Sequence, residues 1–308
     1  MVFGYIYTPA THLRVIDEDA ADFLQSQFSN DLRPFETGQC TYGLWLNVKG
    51  KVIADSRVLC ENKMHFHILS EHSPAALIMQ KLEEHIIADD VTIENIPPGA
   101  AIALIGNHVE DVLDSLGFKM PANSNFISVD EVYVFSGRRS IEPSVELWSA
   151  INSKITDLKK RLAESGVEFI SVEKMQGMRM AAGIPRIPDE IGPADLPGEG
   201  GLIGSGVSLT KGCYLGQEVV ARMHNVGQAQ RALFRITGSG VVPECPLLLY
   251  DSKSKNVGEL RSAYASESGW IGVALLKIRF VELGQYLKYE SGEASVESLF
   301  IKPKERAE

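Results

Sequence analysis

Apolar and polar residues alternate along this chain with two periods, one typical of helices and one typical of strands. After an acidic run at residues 17–19, apolar residues recur at spacings of three and four, which predicts a helix with one apolar face; these residues are Ala21, Leu24, Phe28 and Leu32. A turn at FETGQ follows. The next segment, residues 40–70, has the composition of strands joined by short turns at VKGK and ENK.

Helices and strands continue to mix, without strict alternation, as far as residue 166. Ser73 and Pro74 predict a cap and a first-turn proline for a helix in AALIMQKLEEHIIADD. Two further helices are expected to end at Gly117 and Gly166, with strands at VTIENI, AIALIG, NFISV and VYVFSGRR. This order favours an α+β fold over a doubly wound parallel sheet.

Beyond about residue 230 the helical period disappears. Six short segments rich in β-branched and aromatic residues are separated by Gly, Ser and Asp: RALFRITG, PLLLYD, VGELRSAYAS, GWIGVALLKI, QYLKYE and SVESLF. This spacing predicts a small C-terminal β-barrel. We therefore divide the chain into an α+β region, residues 1–225, and a barrel domain, residues 226–308.

Charge and composition restrict the function. The chain has 308 residues and a net charge of −10, and no basic run suits a nucleic-acid backbone, so we expect no direct nucleic-acid partner and anionic ligands held only by local cations. No stretch approaches the ~20 apolar residues of a membrane span, and no secretion signal is apparent. Four widely separated cysteines without metal-site spacing favour a reducing compartment, so we expect a cytoplasmic protein.

Candidate chemistry is concentrated in LTKGCYLGQEVVAR. Cys213 precedes a helix expected to begin near Gly216, and Lys211 is close in sequence; both favour a thiolate. Alternatively, Cys213 is a small buried filler. The preceding Pro/Gly-rich segment, residues 183–206, is either a linker or, as we favour, ordered around a site.

Other candidates carry weaker signals. His65 and His67 face the same side of a strand, which we interpret as a solvated face and not as a metal site. The glycine-rich GEGGLIGSG matches no nucleotide-binding pattern. An acidic ligand could be bound by one of five arginines, each of which alone is more commonly a surface or packing residue: Arg57, Arg179, Arg186, Arg222 and Arg231.

The stretch KGCYLGQEVVAR resembles the signature of the YgfZ-type tetrahydrofolate-binding proteins, which are relatives of the glycine-cleavage T-protein, an aminomethyltransferase. The segments FLQSQFSNDLRPFETGQCTYGLWLNVKGKVIADSRVL, MRMAAGIP and LPGEGGL resemble other blocks of that family. The resemblance implies a cloverleaf of two interleaved ferredoxin-like α+β domains and a C-terminal β-barrel around a central folate channel. It also implies tetrahydrofolate or a one-carbon derivative as cofactor.

The resemblance also assigns residues. It implies a chemical role for Cys213, Lys211 and Asp55, a pterin contact for Glu199 and a contact to the folate's glutamyl or benzoyl end for Arg231. Further cofactor contacts are expected from the rest of the signature, at Tyr214, Gln217 and Glu218.

Two functions remain open. The intact cysteine signature favours a folate-binding protein that assists assembly or repair of iron–sulfur clusters, with transient iron–sulfur protein or assembly-factor partners and a link to tRNA modification. The alternative is a folate-dependent aminomethyl or N-demethylating transferase using Asp55. Ala54 and Ala181 replace acids of aminomethyltransferases, which disfavours this alternative. A folate-binding scaffold without chemistry is a third possibility, in which Cys213 only packs.

Overall fold

A computed structural model describes residues 1–226 and 229–300. The chain forms two open sheets, each covered by helices, and a closed barrel. Sheet I has the strand order β11-β1-β7-β10-β9-β8 and comprises β1 (Phe3–Tyr7), β7 (Ala100–Ile105), β8 (Phe126–Val129), β9 (Val132–Ser136), β10 (Ser144–Ser149) and β11 (Glu168–Phe169). Sheet II has the order β3-β4-β5-β2-β6 and comprises β2 (Thr11–Ile16), β3 (Gln39–Leu46), β4 (Val52–Asn62), β5 (His65–Ser70) and β6 (Thr92–Asn95).

The two sheets are interleaved in sequence, because β1 belongs to sheet I while the whole of sheet II follows before the chain returns at β7. Apolar side chains of sheet II pack under α1 (Ala20–Gln27) and α2 (Ala75–Glu83). Sheet I packs in the same way under α3 (Val109–Leu116) and α4 (Asn152–Glu164). The opposite faces of the sheets meet in a third apolar cluster that includes Leu69, Phe135 and Trp148.

The barrel consists of six antiparallel strands, all predicted from the sequence: β12 (Arg231–Gly238), β13 (Leu247–Tyr250), β14 (Asn256–Ser266), β15 (Gly269–Lys277), β16 (Tyr286–Tyr289) and β17 (Gly292–Leu299). Between sheet I and the barrel the chain forms α5 (Val172–Ala181), a 3-10 turn (Pro197–Gly200), α6 (Ile203–Gly206) and α7 (Gln217–Val226). The Pro/Gly-rich segment is thus ordered, as expected. The predicted α+β fold with a C-terminal barrel is confirmed; the division at residues 225 and 226 stays a prediction.

Two predicted helices are shorter in the structure. Helix α1 ends at Gln27, because Phe28 leaves the helix to pair with Trp45 of β3, although Phe28 and Leu32 are both buried as their spacing indicated. Helix α2 ends at Glu83. Ser73 does not cap α2, since its hydroxyl is engaged elsewhere, with Asp55 and the Ile187 carbonyl.

No helix formed by the described residues is long and apolar enough to cross a membrane.

Candidate functional site

A cleft between sheets I and II is closed on its third side by α5 and the segment that follows it. Including its open mouth and the solvent space there, the cleft has about 870 Å³ that protein atoms do not fill. Its walls combine aromatic and aliphatic side chains with several ionisable groups: Tyr7, Tyr42, Leu69, Phe135, Trp148, Met175, Ile184, Ile187, Asp55, Arg57, Glu71, His72, Arg138, Arg139, Glu146 and Arg179.

Asp55 is the predicted site residue that the structure places in this cleft. It lies on β4, and its Oδ1 accepts hydrogen bonds from Ser73 Oγ at 2.8 Å and Ser70 Oγ at 3.3 Å. Tyr42 donates its hydroxyl to Oδ2 at 3.0 Å. Burial raises the pKa of Asp55, and these hydrogen bonds oppose the increase. A carboxyl group held in this way can exchange a proton with a bound molecule or accept a hydrogen bond from it.

A buried ionic network forms another part of the cleft wall. Arg139 binds Glu146 through two nitrogens, at 2.7 and 3.2 Å, and Glu71 through a third at 2.6 Å. Tyr7 donates to Glu146 at 3.0 Å. Burial alone would raise the pKa of Glu71, but Arg139 holds it below its ordinary value. Because every charge in this network is paired, it serves as a rigid wall.

Two other arginines of the cleft have no carboxylate within salt-bridge distance in the part of the chain that the structure describes. Arg57 lies over the Phe135 ring, 5.4 Å from its centroid, and Arg138 lies 4.2 Å from the centroid of the Tyr42 ring. Stacking on aromatic rings orients a guanidinium and leaves its N–H edge for an anion. The cleft therefore offers two oriented cations beside the Asp55 carboxyl.

The sequence singled out Arg57 but not Arg138, whose environment is created by a strand from the other sheet. Among the remaining arginines named from the sequence, Arg179 lines the cleft but is fully engaged by Glu190, at 2.8 and 2.7 Å. Arg186 pairs with Asp189 at 2.5 Å, and Arg222 is exposed on α7.

The cysteine signature wraps around the end of α1. Lys211 is buried, and its Nζ donates to three backbone carbonyls, those of Gln25 at 2.7 Å, Phe28 at 2.7 Å and Asn30 at 2.9 Å. Burial lowers the pKa of Lys211 to about 8, so the group is still an ammonium at neutral pH. All three of its N–H bonds are used within the protein.

Cys213 itself is exposed, two residues beyond this anchor and four before α7 begins. Exposure excludes its interpretation as a buried filler. Tyr214 turns inward to the core, where burial raises its pKa to about 12. Gln217 donates to the Lys211 carbonyl at 3.4 Å, and Glu218 is exposed on the first turn of α7. None of these side chains lines the cleft between the sheets.

Glu199 and Arg231, predicted as folate contacts, bind each other. Arg231 donates from Nε to Glu199 Oε1 and from Nη2 to Oε2, both at 2.8 Å, and from Nη2 to Asp195 at 3.1 Å. They line a separate cavity, here called the barrel cavity, which is bounded by Leu196, Glu199, Met223, Ala229, Gln230, Arg231, Lys277 and Arg279. Their proposed contacts with folate stay predictions.

The expectation of a solvated histidine face is wrong. His67 is buried against sheet I, because Trp148 and Tyr133 cover it, and its Nδ1 lies 3.0 Å from Nε2 of His12. In the described parts of the chain, no group of three or more His, Cys, Asp or Glu side chains is placed to hold a metal ion.

This fold defines a class of α+β proteins in which two helix-covered sheets enclose a cleft and a six-stranded barrel follows. The crystal structure of the glycine cleavage system aminomethyltransferase T from Bartonella henselae has the same fold, with a TM-score of 0.80 over 97% of this chain and 86% of that chain at 17% identity. Residues 8–211 match the GCVT N-terminal domain, and the chain belongs to this family.

Curated relatives of two kinds are similar to this chain. The tRNA-modifying protein YgfZ of Hamiltonella defensa is 25% identical over 227 residues, covering 73% of this chain and 67% of the relative, and that of Colwellia psychrerythraea is 27% identical over 252 residues, covering 79% and 72%. An aminomethyltransferase of Thermoanaerobacter sp. is 22% identical over 307 residues, covering 94% and 82%. The resemblance to YgfZ-type, aminomethyltransferase-like proteins is confirmed.

Proposed function

We propose that the protein binds tetrahydrofolate or a one-carbon derivative in the cleft and assists assembly or repair of iron–sulfur clusters in client enzymes. The observation that carries the proposal is the arrangement of Arg57 and Arg138, two cations without carboxylate partners among the described residues, beside Asp55. The rest of the cleft wall consists of aromatic and aliphatic side chains and the paired ionic network. The family membership and the fold support it.

The groups in the cleft suit a reduced folate. Phe135 and Trp148 give flat apolar walls for ring systems. Asp55 offers a carboxyl group to the N–H donors of a pterin. Arg57 and Arg138, which lie beside Asp55, can donate to the acceptor atoms of the same ring, because a guanidinium presents several N–H donors in one plane. When bound, tetrahydrofolate supplies a carrier for a one-carbon unit; this chain binds it, orients it and limits its access to water.

Cys213 is proposed to act outside the cleft, on a partner. Iron–sulfur clusters are held by several thiolates, but Cys40 and Cys60 are buried in sheet II and Cys245 is half-buried against the barrel core. An exposed Cys213 can therefore offer only transient contact to a client protein or an assembly factor. The net charge of −10 favours a protein partner over direct contact with nucleic acid, so we place the link to tRNA modification in client enzymes.

Folate binding and cysteine function should separate by mutation. Replacing Arg138 with Gln, or Arg57 with Gln, should weaken tetrahydrofolate binding about tenfold or more, because each loses a charged hydrogen bond worth about 1.5–3 kcal/mol. Cys213→Ser should leave binding unchanged and abolish complementation of iron–sulfur enzyme activity in a strain lacking the protein. Anaerobic calorimetric titration and enzyme assays in the complemented strain measure the two effects.

Lys253→Gln, an exposed change in the barrel, is the charge-matched control for binding. Equal affinity in Arg57→Gln, Arg138→Gln and the wild type would place folate elsewhere. Arg231→Gln and Glu199→Gln test the contacts expected from the family resemblance. If only these two variants lose affinity for tetrahydrofolate, the folate binds in the barrel cavity and not in the cleft. Full complementation by Cys213→Ser would favour the scaffold without chemistry.

A second candidate function is supported by Asp55. Its raised pKa and its position in the cleft suit a general acid or base in a folate-dependent aminomethyl or N-demethylating transfer. In that case Asp55→Asn should remove nearly all turnover of an aminomethyl or N-methyl donor with tetrahydrofolate, while folate still binds. Absence of turnover by the wild type, despite measurable folate binding, would eliminate the transferase.

A further inference from the structure

Three histidines and a glutamate lie together where sheet II meets sheet I. His12 belongs to β2, His65 and His67 belong to β5, and Glu61 lies near the end of β4; these four residues are here called the histidine cluster. The rings of His65 and His67 are 4.9 Å apart between centroids, and Nε2 of His67 lies 3.9 Å from Glu61 Oε1. None of the four is among the residues that line the cleft, and the proposed function uses none of them.

Hydrogen bonds fix the positions of the protons in the two buried rings. Nδ1 of His12 lies 3.1 Å from the Pro97 carbonyl oxygen, which can only accept, so this nitrogen carries the proton. Both rings are neutral at pH 7, because burial lowers the pKa of His12 to about 4 and that of His67 to about 3. Nε2 of His12 is therefore an acceptor, and Nδ1 of His67, 3.0 Å away, donates to it. The other ring nitrogen of His67, Nε2, is left with an unshared electron pair.

This electron pair faces a second acceptor. Among the described residues nothing donates to His67 Nε2, and the charged group within 4 Å of it is the Glu61 carboxylate. Oε1 of Glu61 is buried without a hydrogen-bond partner, and so is Nε2 of His65. A buried acceptor without a donor costs free energy, and two acceptors at 3.9 Å repel each other. The histidine cluster is therefore incomplete without a hydrogen-bond donor.

The missing donor should carry a positive charge. Water can donate to His67, but it does not neutralise Glu61. Arg14, which is opposite His67 on β2, is already paired with Glu94. The Tyr133 ring, 5.7 Å from the His67 ring between centroids, adds an aromatic surface that favours a cation. A metal ion needs three or four converging ligands, which the described residues do not place here. An alkylammonium needs only acceptors for its N–H bonds.

We propose that the histidine cluster binds the ammonium group of a small primary amine. Because His67 Nε2 and Glu61 Oε1 are 3.9 Å apart, one nitrogen fits at hydrogen-bond distance, about 2.9 Å, from both. The ammonium donates one N–H bond to each atom and neutralises the carboxylate. The side chain of His67 is only 10% exposed and that of Glu61 25%, so a small free amine suits the site better than a lysine of another protein. This inference does not depend on the proposed function of the cleft.

NMR detects binding at the imidazole nitrogens themselves. Methylammonium chloride is added to the ¹⁵N-labelled protein at pH 7.5 and constant ionic strength, and long-range ¹H–¹⁵N spectra follow Nε2 of His67, whose resonance is assigned by its loss in His67→Gln. We expect a saturable shift. Glu61→Gln should bind at least tenfold more weakly, because the amide has no charge and can itself donate to His67.

Two controls separate this site from general attraction of cations. Glu110→Gln removes an exposed charge on α3 and should bind methylammonium as the wild type does. Tetramethylammonium has the same charge but no N–H bond, so it should bind at least tenfold more weakly than methylammonium. The remaining histidine resonances show whether each variant is folded.

Several outcomes would overturn the inference. They are the absence of a saturable shift at His67 Nε2, equal affinity of Glu61→Gln and the wild type, and equal affinity for the two ammonium ions. A shift of the same nitrogen by Zn²⁺ at lower concentrations than by methylammonium would instead assign the cluster to a metal ion. Binding of Nα-acetyllysine amide at least tenfold more tightly than methylammonium would assign it to a lysine side chain of a partner protein.

Discussion

Lys211 is a buried charge that holds two separate segments of the chain together. Its ammonium joins the cysteine loop to three carbonyls at the end of α1, and a helix C-terminus favours a positive charge. The sequence predicted a chemical role beside Cys213. The contacts suggest a positioning role instead, because the three N–H bonds of Lys211 are already used.

Replacing Lys211 with Met should therefore destabilise the fold. We expect a loss of about 2–4 kcal/mol in the free energy of unfolding, because three backbone carbonyls lose a charged donor. Urea unfolding at pH 7 measures it. Lys49→Met, an exposed change in the turn after β3, should stay within about 0.5 kcal/mol of the wild type. If the Lys211→Met protein has normal stability but fails to complement a strain lacking the protein, Lys211 has a chemical role.

At the scale of elements, the VKGK turn and the cysteine loop support each other. Gly216 has φ +82°, and a Cβ there would lie 2.6 Å from the Asn47 carbonyl oxygen and 2.9 Å from Gly50 Cα. Gly50 has φ +67°. The turn between β3 and β4 thus packs directly on the backbone of the loop, and both contacts require glycine.

Gly216→Ala should accordingly cost about 2 kcal/mol or more of stability, from backbone strain and the clash with Asn47. Gly212→Ala is the matched control in the same loop, because its Cβ would meet nothing within 4 Å, and it should be nearly neutral. Thermal or urea unfolding compares the two variants. Equal stability of the two would mean that the loop does not need its close contact with the turn.

Elements with a strong local pattern could be predicted from the sequence, whereas elements defined by distant partners could not. The barrel strands are short β-rich segments separated by turn residues, and Gly117 and Gly166 follow α3 and α4 with positive φ, as expected. Helix α1 was predicted too long, because the spacing of Phe28 matches a helix while its bridge to Trp45 depends on a strand 17 residues away.

The candidate site shows the same division. Asp55 and Arg57 lie on one strand and were named from the sequence. The paired wall of Arg139, Glu71 and Glu146 was not, since these residues come from two sheets and have no motif. The Glu199–Arg231 pair also escaped prediction, because each residue was assigned to folate separately.

At the scale of the whole molecule, the two sheets meet through a buried histidine pair. His12 and His67 join sheet II to the Trp148 ring of sheet I, with the two imidazoles 3.0 Å apart at Nε2 and Nδ1. Burial lowers the pKa of His12 to about 4 and that of His67 to about 3. Both rings are therefore neutral in the folded protein at pH 5.

Acid should consequently destabilise the contact between the sheets. An unfolded histidine has a pKa near 6.5, so between pH 6.5 and about 4 the unfolded chain binds more protons than the folded one, and stability falls as pH falls. For the two histidines together, we expect the free energy of unfolding to fall by about 2–4 kcal/mol between pH 7.5 and pH 5. Urea unfolding at the two pH values measures this difference.

His67→Gln should reduce this pH slope by about half whatever its effect on stability at pH 7.5, because one of the two titrating rings is gone. His108→Gln is the control, since that ring is exposed and should leave the slope unchanged. If the His67→Gln protein keeps the wild-type slope, other groups dominate the pH response. One such group is His72, because burial lowers its pKa as well. The acid sensitivity would then arise at the wall of the cleft and not where the two sheets meet.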